Sequence, residues 1–234
     1  MQRNIRTGFI SVMLVLIALS VQQVDGFLDE FERKKLGDDW QKSPVGQQES
    51  WSIEKGEIVF SGVGGQSQMM TGEQGWKDYT VECDIKFVSA DNYPGGIRTY
   101  VDAKTGGHYA VWFYPPTKEI KLYSGTAFNI NTGIVTLGVH SPFGAKLDTF
   151  YHLKVVHQGK QIEVWFGESK DKMEKIIEAE DDAFKSGMVA FDGWNQPVHF
   201  DNILITGPGI PRSDGEAVES RDKLATVWGT LKVE

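Results

Sequence analysis

Side chains able to bind or cleave a sugar recur at every second position over much of this chain. In residues 79–87, Glu82, Asp84 and Lys86 alternate with apolar residues, as expected for a β-strand with one buried side. The alternation continues in three later segments, whose second sides hold Arg98, Tyr100 and Asp102; His108, Trp112 and Tyr114; and Gln161, Glu163 and Trp165. Aromatic rings beside planar charged groups suit a sugar, because its C–H faces stack on rings and its hydroxyls need donors and acceptors. The pattern therefore predicts a carbohydrate ligand.

Glu82 and Asp84 are the candidate catalytic pair, because they form the one close pair of acids on a shared face of a predicted strand. A glycoside hydrolase needs an acid and a base or nucleophile around one bond. Side chains two residues apart on a strand start about 6.6 Å apart at the backbone, so these two carboxylates must lean together to act as a retaining pair. His108, and after it His152, are the other candidate acids or bases.

The predicted sugar-binding residues are Arg98, Tyr100, Trp112, Tyr114 and Trp165. Arg98 can clamp a polar group of a sugar, and the aromatic rings can serve as stacking platforms. Both predictions have a structural alternative. A loop can cover the rings, and Arg98 can form an ion pair with Glu82, Asp84 or Asp102.

Residues 1–26 have the pattern of a secretory signal peptide, with Arg3 and Arg6 before an apolar stretch at 9–21. The apolar stretch is shorter than the roughly 20 residues of a transmembrane helix. We therefore expect a secreted, periplasmic or cell-surface protein with no membrane span after cleavage.

The net charge and the single cysteine bear on two further kinds of function, nucleic-acid binding and thiol chemistry. The formal net charge of −8 opposes binding to nucleic acid through long-range attraction. The single cysteine, Cys83, lies on the apolar side of its strand and is predicted to be a buried, inert thiol.

Turn residues divide the rest of the chain into short strands without alternating helices. Hairpin turns are predicted at 55–56, 106–107 and 158–159. Residues 169–179 fit an exposed helical turn or an extended edge strand equally well. The pattern predicts an all-β, antiparallel sandwich of two sheets in one domain, residues 27–207. Glycines and prolines at 207–211 then mark the start of a linker and C-terminal tail, residues 208–234.

Four segments together resemble the concanavalin A-like jelly-roll family, specifically its laminin G-like and 3-keto-disaccharide hydrolase-like domains. They are residues 76–82 (WKDYTVE), 95–98 (GGIR), 151–155 (YHLKV) and 200–203 (FDNI). The resemblance implies a jelly roll of two curved antiparallel sheets whose concave side often holds sugar. Enzymes and non-catalytic binders both use this fold, so the resemblance leaves activity open.

Two departures from the family patterns bear on activity. The glucanases of this fold carry Glu-x-Asp and then a second Glu, whereas Lys86 and Val88 follow Glu82 and Asp84 here. The 3-keto-disaccharide hydrolase-like group often has Asn-Ser-Gly before a strand ending in Arg, and residues 95–98 keep only the Gly and the Arg.

Two hypotheses about function follow. One is a secreted domain that hydrolyses glycosides of 3-keto-sugars or other sugars. The other is a non-catalytic carbohydrate-binding or adhesion module, with a protein partner docked at residues 224–233.

The resemblance also implies a structural calcium ion. Relatives of this fold often hold calcium with an acid on the last strand and groups on the first. Asp201 lies at the matching position of the last strand, and Asp29 and Glu30 lie in the opening strand. Calcium takes six to eight oxygen ligands, so backbone carbonyls would complete the predicted site.

Overall fold

The computed structural model describes residues 26–46, 50–89, 95–129, 131–144 and 146–212. The predicted signal peptide, apart from Gly26, and residues 213–234 of the predicted tail lie outside these ranges. No helix within the described ranges is long and apolar enough to cross a membrane.

Within these residues the chain forms fifteen β-strands in two antiparallel sheets, which we name sheet A and sheet B. Sheet A has the order β13 (Met173–Glu180), β12 (Gln161–Gly167), β11 (Tyr151–Gln158), β6 (Thr80–Phe87), β15 (Val198–Thr206), β4 (Glu57–Phe60) and β3 (Trp51–Glu54), and β1 (Phe27–Asp29) also pairs with β15. Sheet B has the order β10 (Val135–His140), β9 (Glu119–Gly125), β8 (His108–Tyr114), β7 (Gly95–Val101), β14 (Met188–Trp194), β5 (Gln66–Thr71) and β2 (Trp40–Lys42). The predicted all-β antiparallel sandwich is confirmed.

The core lies between the sheets and is built from alternate residues of each strand. In β6, Val81, Cys83 and Ile85 are fully buried while the residues between them are half-buried. Aliphatic and aromatic side chains of sheet B, such as Ile97 and Phe113, meet them from the other side. The burial of Cys83 agrees with the prediction of an inert thiol, and burial raises the pKa of that thiol.

Residues 169–179 were predicted to form either a helical turn or an edge strand, and most of them belong to an edge strand. After one turn of 3-10 helix at Lys170–Lys172, the chain runs into β13 at the edge of sheet A. Its charged residues remain at the surface, and the side chain of Ile177 packs into the core. Burial of that one apolar face, rather than helix propensity, decides the conformation.

Tyr100 breaks the alternation that was predicted for β7. Its φ of 51° is in the left-handed region, and the pairing of β7 with β14 shifts register between Met188 and Ala190. The ring therefore turns into the core, where its centroid lies 4.2 Å from that of the His157 ring. The prediction that Tyr100 lines a sugar face is wrong.

Candidate functional site

The outer face of sheet B, which points away from the core, carries a row of functional side chains near its centre. In order across five paired strands, the row consists of Lys121, Trp112, Gly96, Asp192 and Gln68. Gly96 has a φ of 154°, and a Cβ there would lie 2.0 Å from the Val111 carbonyl oxygen, so no side chain fits. The glycine leaves a gap in the row between the Trp112 indole and the Asp192 carboxylate.

A buried ion pair lies beside this gap. The Arg98 guanidinium donates from Nε to Asp192 Oδ2 at 2.7 Å, and its Nη2 is 2.6 Å from the same oxygen. Gln68 Nε2 donates to the other Asp192 oxygen at 3.1 Å. The Arg98 side chain is fully buried and that of Asp192 nearly so. A pair taken so far out of water costs desolvation free energy and is weak evidence for stability, which makes it a candidate functional feature.

The partner of Arg98 differs from the one predicted. The sequence suggested Asp102, which is near Arg98 in the chain, or Glu82 or Asp84 of the strand predicted at residues 79–87. Asp192 is 94 residues away in the sequence and was not singled out. The sequence did contain a clue to Asp192. It is an acid within the apolar run of β14, and it lies two residues before Trp194, on the same face of the strand.

Four buried polar atoms of the ion pair and its surroundings have no hydrogen-bond partner among the described residues: Gln68 Oε1, His108 Nε2, Trp112 Nε1 and Arg98 Nη2, the last of which is in ion-pair contact with Asp192. The guanidinium carbon of Arg98 lies 5.4 Å from the centroid of the Trp112 ring, and Arg98 Nη1 is 3.3 Å from His108 Nδ1. Buried polar atoms without partners are rare in folded proteins, and each needs a ligand or a water molecule. Besides the paired guanidinium, the site thus offers two acceptors and one donor.

His108 is neutral at physiological pH. Burial and then the Arg98 charge lower its pKa to about 3. Its Nδ1 lies 2.7 Å from the carbonyl oxygen of Gly106, a group that only accepts hydrogen bonds. The proton is therefore assigned to Nδ1, and Nε2 keeps its lone pair.

Exposure increases from the ion pair toward one end of the face. Tyr114 and Trp194 are half-buried there and pack against the cluster that contains Trp112 and Tyr123. Lys121 Nζ lies 4.8 Å from the centroid of the Tyr114 ring. At the other end, Phe128 packs with Ala190, and its carbonyl oxygen accepts from Arg98 Nη1 at 3.0 Å. Aromatic rings thus border the polar centre on its more open side.

Glu82 and Asp84 lie on the outer face of sheet A, on the opposite side of the sandwich. They enclose His152, whose Nδ1 is 2.7 Å from Asp84 Oδ1 and whose Nε2 is 3.2 Å from Glu82 Oε2. Hydrogen bonding from His152, against the effect of burial, lowers the pKa of Glu82 to about 2. Burial lowers the pKa of His152, but the two carboxylates outweigh it and raise that pKa to about 9. Both carboxylates therefore serve as partners of a charged imidazolium.

This second cluster, which we name the His152 cluster, borders a cavity of about 420 Å³ with Phe150, Lys170 and Asn202 among its lining residues. Lys170 also pairs with Glu82, at 2.9 Å. The acid pair that was predicted to be catalytic thus does come together, at a site separate from Arg98, His108, Trp112 and Tyr114. The catalytic role of Glu82 and Asp84 stays a prediction.

Trp165 also lies on sheet A, so the predicted sugar-binding residues are divided between two faces. Its indole N–H donates to Glu163 at 2.9 Å. The ammonium groups of Lys154 and Lys175 lie 5.2 and 5.9 Å from its ring centroid. These contacts hold the ring in a local network of charges.

In the predicted calcium site of Asp29, Glu30 and Asp201, the carboxylate of Asp29 is already occupied by hydrogen bonds. Asp29 accepts hydrogen bonds from the Phe31 backbone, the Trp40 indole and both terminal nitrogens of Arg33. Asp201 lies opposite Asp84, and burial, followed by the charges of Asp84, Glu57 and Glu30, raises its pKa to about 6. Among the described side chains, no group of three or more His, Cys, Asp or Glu residues is placed to hold a metal ion. Calcium binding by Asp29, Glu30 and Asp201 stays a prediction.

The fold is shared with a carbohydrate-binding module and with a β-glucanase. The carbohydrate-binding module CBM66 from Bacillus subtilis superposes with a TM-score of 0.58 at 17% identity, over 72% of this chain and 96% of that one. A β-glucanase from Bacillus licheniformis has a TM-score of 0.57 at 11% identity, over 80% and 100% of the two chains. The protein therefore has the jelly-roll fold that these two proteins share.

The sequence also identifies the family of the chain. Residues 26–206 match the family described as the 3-keto-alpha-glucoside-1,2-lyase-like domain, and the chain belongs to that family. Xylan β-1,4-xylosidase from Bacillus halodurans C-125 is similar at a TM-score of 0.56 and 16% identity, where 77% of this chain spans 39% of that one. No curated protein matches the chain.

Proposed function

We propose that the protein is a secreted enzyme that cleaves α-glucosides oxidised at C3, and that the sugar binds on the outer face of sheet B. Membership of the lyase-like family supports the reaction class. The predicted signal peptide supports secretion. The aromatic border and polar centre of sheet B support a carbohydrate ligand, because they combine stacking surfaces with donors and acceptors.

The observation that carries this proposal is the set of buried atoms without partners beside the Arg98–Asp192 pair. A sugar with a ketone at C3 has a carbonyl oxygen that accepts and hydroxyl groups that donate. The Trp112 indole N–H can donate to the carbonyl oxygen, and Gln68 Oε1 and His108 Nε2 can accept from the hydroxyl groups. By contrast, the His152 cluster has its carboxylates already engaged by His152, Lys170 and Asn202.

The ketone explains why such a substrate breaks by elimination. A carbonyl at C3 acidifies the hydrogen on C2. When a base removes that proton, the C2–H electron pair forms a C1=C2 double bond and the C1–O bond breaks. The leaving oxygen takes up a proton, so no external oxidant or reductant is consumed. The ordinary sugar lacks the ketone and is expected to be inert.

A non-catalytic role is the second candidate, and the similarity to a carbohydrate-binding module favours it. In that case the same face of sheet B would bind a sugar and leave it intact. The two candidates share a ligand class and a surface, and they differ in whether a bond is broken.

The test uses 4-nitrophenyl α-glucoside and its 3-keto form with the full protein. We expect nitrophenol release from the 3-keto form alone, and a primary isotope effect when C2 carries deuterium, because proton removal precedes or accompanies C1–O cleavage. Binding of the 3-keto sugar without release would establish the binding module instead. Release without an isotope effect would contradict elimination, provided that the chemical step limits the rate.

A further inference from the structure

The orientation of His108 places a basic atom among the groups of the proposed site. Its Nδ1 proton is directed at the Gly106 carbonyl, which leaves the Nε2 lone pair without a partner among the described residues. The ring packs against the backbone of Gly125, where an added Cβ would lie 2.9 Å from its Cε1 atom. The Nε2 lone pair is therefore free to take up a hydrogen bond or a proton, although burial and the Arg98 charge make the imidazole a weak base.

Trp112 supplies a complementary donor. Its ring centroid lies 6.0 Å from that of His108 and 4.9 Å from that of Tyr123, so packing restricts the indole. Its N–H has no acceptor among the described residues. A fixed donor in a site shielded from water stabilises negative charge that develops on an oxygen more effectively than a donor in water does.

We propose that His108 Nε2 removes the C2 proton of a 3-keto-glucoside and that the Trp112 indole N–H binds the C3 carbonyl oxygen as negative charge develops on it. This assignment rests on the proposed function. The C2–H electron pair becomes the C1=C2 double bond, the C1–O bond breaks, and the imidazolium returns its proton to the leaving oxygen. His108 is therefore neutral again after each turnover, and the atoms and electrons balance.

Both atoms are buried, so the substrate must displace part of the cover. Phe128 borders the site, and its carbonyl oxygen accepts from the side chains of Arg98 and Gln66. The ion pair acts as a positioning element that orients Gln68 and flanks the imidazole.

The experiment compares His108→Gln and Trp112→Phe with the natural chain on 4-nitrophenyl 3-keto-α-glucoside. We expect His108→Gln to lower kcat by about 10²- to 10⁴-fold and Trp112→Phe by about 10²- to 10³-fold, with much smaller changes in KM. His199→Gln is the matched control, because His199 is a half-buried histidine on the outer face of sheet A, bonded to Glu57 at 2.6 Å. Its kcat should equal that of the natural chain.

A partial reaction separates proton removal from cleavage. 1,5-Anhydro-3-keto-glucitol has no exocyclic leaving group at C1, so a competent base can exchange its C2 hydrogen for deuterium in D₂O with no aglycone to release. The natural chain should catalyse this exchange, and His108→Gln should lose it. Equal exchange and turnover in His108→Gln would overturn the assignment while the proposed function stands. If His108→Gln does not fold, an unchanged kcat in Trp112→Phe overturns it. A natural chain that neither exchanges nor cleaves refutes the proposed function itself.

Discussion

Replacing Asp192 by Asn will lower the free energy of unfolding by about 3–5 kcal/mol, the usual cost of removing one partner from a buried ion pair. The loss is large because Arg98 is fully buried and its charge would keep only the Phe128 carbonyl and neutral neighbours. Unfolding in urea, followed by circular dichroism, measures the change. Glu178→Gln is the control, because it removes an ion pair with Lys175 at the surface and should leave the midpoint nearly unchanged.

A double variant tests whether the penalty comes from the unpaired charge. Arg98→Met with Asp192→Leu removes both charges, and a buried pair replaced by apolar residues is often as stable as the original. We therefore expect the double variant to recover most of the stability lost in Asp192→Asn. A single variant as stable as the natural chain would show that the pair is hydrated, and hence that the site is open to water without any ligand.

Mild acid will destabilise the protein through two buried histidines. Burial lowers the pKa of His157 to about 3, and burial with the Arg98 charge lowers the pKa of His108 to a similar value. In the unfolded chain both bind protons below about pH 6.5. The stability they contribute is thus complete above pH 6.5 and decreases as the pH falls toward 3. The expected slope is about 1.4 kcal/mol per pH unit for each histidine.

Asp201 acts in the opposite direction, because its folded-state pKa is raised to about 6 and the folded protein takes up its proton first. Between pH 6 and 4.5 the two histidines should outweigh this single acid. The measurement is the free energy of unfolding in urea at several pH values. His157→Gln should reduce the slope, and Asp201→Asn should increase it. An unchanged slope in His157→Gln would contradict the assignment of His157 as a neutral core residue.

The sequence predicted most of the fold because alternation of apolar residues reports the buried side of a strand directly. Val81, Cys83 and Ile85 of β6 follow that rule, as do Trp112 and Tyr114 on the outer face of β8. The rule failed at Tyr100, where a left-handed φ reverses the side on which the ring lies. A single backbone conformation of this kind leaves no trace in the alternation of residue types.

The site was predicted less completely, because its central contact joins distant segments. The alternation placed Arg98 and Trp112 on one face, and the structure agrees with that. It could not show that Asp192 and Gln68 complete the cluster, since the order of strands in a sheet is set by topology. For the same reason, Glu82 and Trp165 were grouped with residues that belong to the other sheet.

The central claim, that the sugar binds on the outer face of sheet B, is tested most directly by the indole N–H signals in a nitrogen–proton NMR spectrum. The chain has seven tryptophans, and the variants Trp112→Phe and Trp165→Phe assign the two that report on opposite sheets. On titration with 1,5-anhydro-3-keto-glucitol, the Trp112 signal should shift as its N–H gains an acceptor, and the Trp165 signal should stay in place. A shift of Trp165 without a shift of Trp112 would contradict the account and place the ligand on sheet A.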